Sequence, residues 1–116
     1  MGYPSQGLTL AEYSRAVSKF AVYPNRGDNL MYALLGLGEE AGEALGKGKR
    51  MIRDDGGILT EARKAELVAE LGDVAWYLNA CAFEIGVDLE HIFQSNIDKL
   101  TDRASRGKLH GSGDNR

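Results

Sequence analysis

The sequence predicts an all-α fold, a four-helix-type bundle that assembles as an oligomer. Three observations predict it: apolar residues recur at spacings of three or four over four segments, cap-type residues head each segment, and strand-type alternation is nearly absent. Helices with one apolar stripe each, joined by short connections, bury those stripes by packing as a bundle. With 116 residues the chain has material for one modest core. A single helical domain over 1–104 followed by a Gly-rich tail over 105–116 is therefore expected, and a two-domain enzyme is excluded.

Thr9-Leu10-Ala11-Glu12 has the layout of a capping box, so a helix is expected over about 9–22, with Leu10, Tyr13, Val17 and Phe20 on one face. Pro24-Asn25-Arg26-Gly27 ends that pattern. Asp28 is expected to cap a second helix reaching about 48, with Leu30, Leu34, Leu37, Ala41 and Leu45 as its stripe. Lys49-Arg50-Met51-Ile52-Arg53 reads as a basic patch entering a turn at Gly56-Gly57. Thr60 caps a third helix over 60–86, with Leu67, Leu71, Val74, Leu78, Ala82 and Ile85 on one face. Asp88 caps a fourth over 88–104, burying Leu89, Ile92, Phe93, Ile97 and Leu100. Trp76 lies ~180° round the third helix from Leu67 and Ile85 at ~100° per residue. Apolar bulk on two sides of one helix suggests a partner on each side, and hence a homodimer or dimer of dimers.

Composition removes several function classes. With 17 acidic against 14 basic side chains the formal net charge is -3, so no chain-wide positive field exists to hold a nucleic-acid backbone. A single Cys81 cannot form an intrachain disulfide, and with His91 and His110 far from it in sequence it makes no zinc site. Cys81 sits on an apolar helix face and reads as core. No run approaches the ~20 apolar residues of a bilayer span, and Met1-Gly2-Tyr3-Pro4-Ser5-Gln6 carries neither a leader layout nor a myristoylation pattern. A cytoplasmic protein is expected, in the host cytoplasm if it is phage-encoded. Gly46-Lys47-Gly48-Lys49 lacks the upstream Gly and the following Ser/Thr of a P-loop, and there is no Gly-x-Ser-x-Gly elbow.

The chemistry-bearing pattern is acidic. The second helix contains Glu39-Glu40-Ala41-Gly42-Glu43 and the third Glu70-Leu71-Gly72-Asp73, so each offers carboxylates at i and i+3 on neighbouring turns. A solvated acidic face is the ordinary reading of such residues, and Glu40 and Glu70 lie only at the border of the apolar stripes, with Glu43 and Asp73 further round. Yet both helices put an acidic pair on the same side of their stripe. Four carboxylates gathered between two packed helices repel one another unless a divalent cation neutralises them or their pKa values rise. An all-oxygen set suits Mg²⁺, with Mn²⁺ as a substitute. A di-iron site would need Glu-x-x-His, and Asp73 stands where the His would be. On the fourth helix Asn96, Lys99 and Arg103 share a face and offer donors for phosphate oxygens, although cations near a helix C-terminus also simply complement its dipole. Lys47, Lys49, Arg50 and Arg53 read as solvated.

Glu39-Glu40-x-x-Glu43, then 26 residues, then Glu70-x-x-Asp73, with Asn96-x-x-Lys99-Leu100-x-x-Arg103 downstream, resembles the MazG-like all-α nucleoside triphosphate pyrophosphohydrolases. The tail Leu109-His110-Gly111-Ser112-Gly113-Asp114-Asn115-Arg116 also resembles short single-domain members from bacteria and phages. The resemblance implies a nucleotide substrate cleaved between its α- and β-phosphates to a nucleoside monophosphate and diphosphate. It implies that Glu40, Glu43, Glu70 and Asp73 hold Mg²⁺ and that Glu39 orients or deprotonates the attacking water. It implies that Asn96, Lys99 and Arg103 take the phosphate tail, with Tyr77 and Asn79 as contacts to base or sugar. Two other readings stay open: a non-catalytic nucleotide-binding or partner-binding helical module, and an enzyme of the same fold restricted to dUTP or dCTP.

The 15 glycines are about twice the usual share. Gly36, Gly38, Gly42, Gly46 and Gly72 fall inside the two acid-bearing helices, where each costs roughly 0.5–1 kcal/mol relative to Ala. The four-residue repeat of Gly38, Gly42 and Gly46 suggests a stripe that lets a second helix approach beside the carboxylates, so that Gly42→Leu is expected to be more damaging than Gly111→Leu.

Overall fold

A computed structural model describes residues 7–116, which form four helices: α1 Leu10–Ser18, α2 Leu30–Asp54, α3 Glu61–Ile85 and α4 Leu89–Ser105. There is no strand among the described residues, as the sequence predicts. The lipidation and leader reading falls on Met1–Gln6, outside the described residues.

Three caps fall where the sequence places them. Thr9 Oγ1 accepts from the Glu12 amide while Glu12 Oε1 accepts from the Thr9 amide, closing the capping box at 3.1 and 3.0 Å. Thr60 accepts from the Arg63 amide and Asp88 from the His91 amide. At the C-terminus of α3, Gly86 takes the left-handed conformation (φ 81°) that frees its amide for the Ala82 and Phe83 carbonyls.

The other three boundaries move, each for a tertiary reason. α1 stops at Ser18 instead of about 22: the Phe20 and Ala21 amides tighten onto the carbonyls of Val17 and Ser18, and the chain turns so that Tyr23 enters the core. The second cap is Asn29 instead of Asp28. Its side chain accepts from the Tyr32 amide, while Glu84 of α3 accepts from the Asn29 amide at 2.6 Å and from Gly27 at 2.7 Å. A carboxylate 55 residues away thus sets where α2 begins. At its other end α2 runs on to Asp54, through the basic patch expected as a turn. Nothing breaks it before Gly56 and Gly57, and Arg63 of α3 secures the corner by donating to Asp55 at 2.9 Å and to Glu66 at 3.1 Å. Lys47 pairs with Glu66 at 3.5 Å and Arg53 with its neighbour Asp54, so these basic residues serve the hairpin and its surface.

α2 and α3 make the dominant contact and run antiparallel, with Asn29 against Glu84 at one end and Lys47 against Glu66 towards the other. α4 touches α1 and α3 more lightly. The core is small: Tyr23, Ala33, Ala80 and Cys81 are buried together, with Ala21, Leu37 and Trp76 packed against them. Cys81 is the core residue the sequence predicts. The face of α3 turned inward, however, centres on Ala80 and Cys81 with Trp76 packed against them; of the predicted stripe Ala82 is buried and Leu67, Val74 and Leu78 are half-buried. Leu71 and Ile85 of that stripe are exposed, as are Leu30, Leu34 and Leu45 of α2 and Phe93, Ile97 and Leu100 of α4. The radius of gyration, 16.9 Å, exceeds the ~13 Å of a compact domain of about this size. One copy therefore leaves much of its predicted core uncovered. No helix among the described residues is long and apolar enough to cross a membrane.

The glycine expectation is corrected. A Cβ added at Gly38, Gly42 or Gly72 meets nothing within 4 Å, and at Gly46 it meets only the Arg50 side chain, so no helix of the same chain approaches along that stripe. The close approach is at Gly36, where any Cβ would run into the ring of Tyr77. In the tail a Cβ on Gly111 would lie 2.7 Å from Cδ of the Arg116 side chain while one on Gly42 meets nothing, so contacts within the chain give no reason for Gly42→Leu to be more damaging than Gly111→Leu.

Candidate metal centre

The antiparallel pairing of α2 and α3 brings Glu40 opposite Glu70 and Asp73, and ligand oxygens of these three side chains all lie within 4.8 Å of one another. Their exposure follows the helical angles. Glu40 and Glu70, at the stripe borders, are half-buried, and Asp73, further round, is exposed. Burial first, then the charges of Asp73, Glu70 and Glu39, push the Glu40 carboxyl above the usual carboxylate range. No Lys or Arg side chain among the described residues forms an ion pair with any of the three. Three converging carboxylates from two rigid helices, with no counter-charge from the chain, have the donor chemistry of a hard divalent cation. Glu43, one turn further along α2, is exposed and lies outside this close group. Glu39 is exposed and near enough to act on both Glu40 and Tyr77 electrostatically.

Beside the carboxylates is an open cavity of about 320 Å³ lined by Phe20, Glu40, Asp73, Trp76 and Tyr77. Its aromatic wall is braced from behind. Trp76 and Tyr77 meet edge to face at 5.0 Å, Trp76 meets Tyr23 at 6.4 Å, and Tyr23 stacks on Tyr32 at 5.1 Å. Tyr23 also donates from its hydroxyl to Glu84 at 2.7 Å. Burial and then that hydrogen bond push the Tyr23 phenol up to about 12, while the hydroxyl of Tyr23 and the amides of Asn29 and Gly27 hold Glu84 below the usual carboxylate range. Burial, and after it the negative charge of Asp73, raises the phenol of Tyr13 on α1. The far side of the cavity is Phe20, 62% exposed and held there by the early end of α1.

The remaining predicted site residues lie elsewhere in the chain. Asn79 accepts from the Ser14 hydroxyl at 2.8 Å and helps join α1 to α3 instead of lining the cavity. Asn96, Lys99 and Arg103 lie along α4, and none of them lines the acidic cavity of the same chain. Asn96 and Lys99 border a separate depression with His91 and Ile92. Lys99 and Arg103 are both engaged by the tail: the Lys99 ammonium and the Arg103 guanidinium each lie 3.1 Å from Asp114 Oδ1, and Arg103 is only 4% exposed.

Sequence reasoning missed Phe20 and Trp76 as site residues. The i, i+3, i+4 spacing of Asp73, Trp76 and Tyr77 was a usable signal for Trp76, since it puts all three on one side of α3. Phe20 had no such signal, because a helix continued to residue 22 would have placed it differently.

Comparison with known proteins identifies the family of the chain. The MazG nucleotide pyrophosphohydrolase domain matches residues 27–107, which contain all three clustered carboxylates and all of α2, α3 and α4. The Gene 37 protein of Mycobacterium phage L5 is 43% identical over 109 residues, covering 90% of this chain and 96% of the phage protein. No solved structure gives a significant match. A domain match across most of the chain, together with a relative similar over nearly its whole length, places this protein in the MazG nucleotide pyrophosphohydrolase domain family.

Proposed function

We propose that the protein is a Mg²⁺-dependent pyrophosphohydrolase that converts a nucleoside or deoxynucleoside triphosphate and water into the monophosphate and diphosphate, by attack of water on the α-phosphate. The observation that carries this reading is the convergence of Glu40, Glu70 and Asp73 at the edge of a cavity walled by aromatic rings. A base can stack on the Phe20, Trp76 and Tyr77 side while the polyphosphate runs towards the carboxylates.

Bound Mg²⁺ would supply charge neutralisation of the polyphosphate and acidify a water. The chain's own residues do the rest. Glu40, Glu70 and Asp73 hold the cation, with Glu43 as a further ligand once substrate draws the carboxylates in. Glu39, exposed next to Glu40, orients the attacking water and accepts its proton. Asn96, Lys99 and Arg103, which lie away from the acidic cavity of their own chain, take phosphate oxygens of substrate held at a neighbouring copy, and Tyr77 contacts the base or sugar. Asn79 acts from behind the wall, through its bond to Ser14. The exposed leucine and phenylalanine faces of α2, α3 and α4 support self-association into a homodimer or dimer of dimers, measurable by light scattering.

The test is a panel of NTPs and dNTPs with Mg²⁺ or Mn²⁺, with products identified by chromatography. Monophosphate plus diphosphate is the expected outcome. Nucleoside diphosphate plus inorganic phosphate refutes it, turnover of dUTP or dCTP alone narrows it to a base-restricted enzyme, and binding without turnover makes the protein a nucleotide-binding module.

A further inference from the structure

The C-terminal loop 107–116 is an ordered device. The side chain of Arg116 crosses Gly111 and donates to the carbonyls of Lys108, Leu109 and Gly113, closing the loop on itself. Arg106, at the end of α4, donates to the Arg116 carbonyl and to Asp102. Gly107 adopts a left-handed turn (φ 67°) that folds the loop back. The result of this folding is that Asp114 is delivered to the cationic side of α4. Its Oδ1 bridges Lys99 Nζ and Arg103 Nη2 at 3.1 Å each, and the carbonyls of Asp114 and Gly113 accept from the same guanidinium at 3.0 and 3.5 Å.

We propose that Asp114 is a resident anion occupying the cations that take the substrate's phosphates, so that loop 107–116 is an autoinhibitory strap displaced when polyphosphate binds. This rests on the assignment of Lys99 and Arg103 to the phosphate tail. The contact has the properties of a displaceable occupant. The Asp114 side chain is 80% exposed and its pair with the 40%-exposed Lys99 is a weak surface ion pair, while the pair with Arg103, 5% exposed, is the firmer tie that a ligand has to overcome. A polyphosphate brings several charged oxygens to the same fork of donors and replaces one carboxylate oxygen with more than it removes. The neighbouring cations, Arg103 foremost, hold the Asp114 carboxyl below its usual range, so it is an anion at neutral pH. Because the loop is closed mainly by Arg116 on its own carbonyls, the part beyond Lys108 can leave α4 as a unit by giving up the bonds of Lys99 and Arg103 to Asp114 and Gly113 and the Arg106 tie to Arg116. The amides of Gly107 and Lys108 stay on the end of α4 as its hinge.

The test uses the full chain and inorganic tripolyphosphate in EDTA, so that the carboxylate cluster and hydrolysis play no part. Titration calorimetry compares the wild type with Asp114→Asn, Lys99→Gln and the double variant, with helical content checked by circular dichroism. Asp114→Asn should bind tripolyphosphate about two- to fivefold tighter, the scale of one exposed ion pair, and Lys99→Gln in the same background should remove that gain. In the hydrolysis assay Asp114→Asn should lower KM without raising kcat. Unchanged or weaker binding in Asp114→Asn overturns the proposal and makes the loop a support that positions the cations. Tripolyphosphate binding insensitive to Lys99→Gln overturns it by removing the phosphate assignment beneath it. Tighter binding by Asp114→Asn in a protein that hydrolyses nothing would uphold the strap while refuting the catalytic reading.

Discussion

Between α2 and α3 the carboxylates of Glu40, Glu70 and Asp73 converge without a Lys or Arg partner among the described residues, whereas along α4 both Lys99 and Arg103 already hold a carboxylate of the chain itself. The two regions teach different things about charge. In the first, the dominant helix contact of the fold holds the groups in place, and burial and their mutual repulsion raise the Glu40 carboxyl pKa. In the second, the cations are met from within, so a ligand has to compete. An unbalanced cluster points to the ion that completes it, and a balanced one points to the exchange that must precede binding.

The comparison breaks first at the acidic end. Glu40→Gln, Glu70→Gln and Asp73→Asn should each lower kcat by roughly 10²–10³-fold while circular dichroism shows intact helices. Two of the three retaining near wild-type turnover would remove the site. Glu43→Gln sharpens the point. A loss below about tenfold leaves a three-carboxylate centre, and a loss equal to the others brings Glu43 into it.

Next come the aromatic supports of that cavity. Gly36→Ala forces a methyl group against the Tyr77 ring and should destabilise the fold by about 1–3 kcal/mol in urea denaturation. Phe20→Ala touches only the open wall and should raise KM by roughly 5- to 100-fold with little change in kcat, the scale of one stacked base. Equal KM in Phe20→Ala and wild type would move the base to another surface.

Smaller effects come from the brace behind the wall. Tyr23→Phe removes one hydrogen bond to Glu84 and should cost about 1 kcal/mol. The pair also sets a pH dependence. The Glu84 pKa is lowered by folding, so its contribution is present above the ordinary glutamate value of about 4.3 and lost as pH falls through the lower folded value. The Tyr23 pKa is raised to about 12, so its contribution is present below about 10 and lost as pH rises through that folded value. The urea midpoint should therefore fall at both extremes, and Glu84→Gln should flatten the acid limb. An unchanged acid limb would show that Glu84 is not the titrating group. The smallest effect is at Gly42, where a Cβ meets nothing within 4 Å. Gly42→Ala should stabilise by about 0.5–1 kcal/mol, visible as a raised thermal midpoint, in contrast to Gly36→Ala.

Much of the fold was legible in the sequence. Thr9, Thr60 and Asp88 cap the helices they head because capping is satisfied within three residues of chain, and Glu40 faces the Glu70 and Asp73 pair, whose i, i+3 spacing fixes a shared side of α3. The start of α2 was not legible to the residue, since Glu84 chooses between Asp28 and Asn29 from the far end of α3. Nor was the true inward face of α3 legible. Periodicity reports that Trp76 and Leu71 lie on different sides, but the burial of Tyr23, Ala33 and Ala80 decides which side the single chain covers.

The sequence by itself thus determined the helical class, most helix boundaries, the acidic i, i+3 pairs on two helices and, through their order and spacing, the family, all of which depend on contacts a few residues apart or on residue identity alone. Only the tertiary structure decided that three of the four carboxylates meet, that Phe20 and Trp76 wall the cavity, that Gly36 is the glycine in close contact with Tyr77, and that Asp114 sits on Lys99 and Arg103. Those facts join residues from 11 to more than 50 positions apart. No local propensity carries such information, because the free energy that fixes them comes from burial, repulsion and hydrogen bonds between elements already formed.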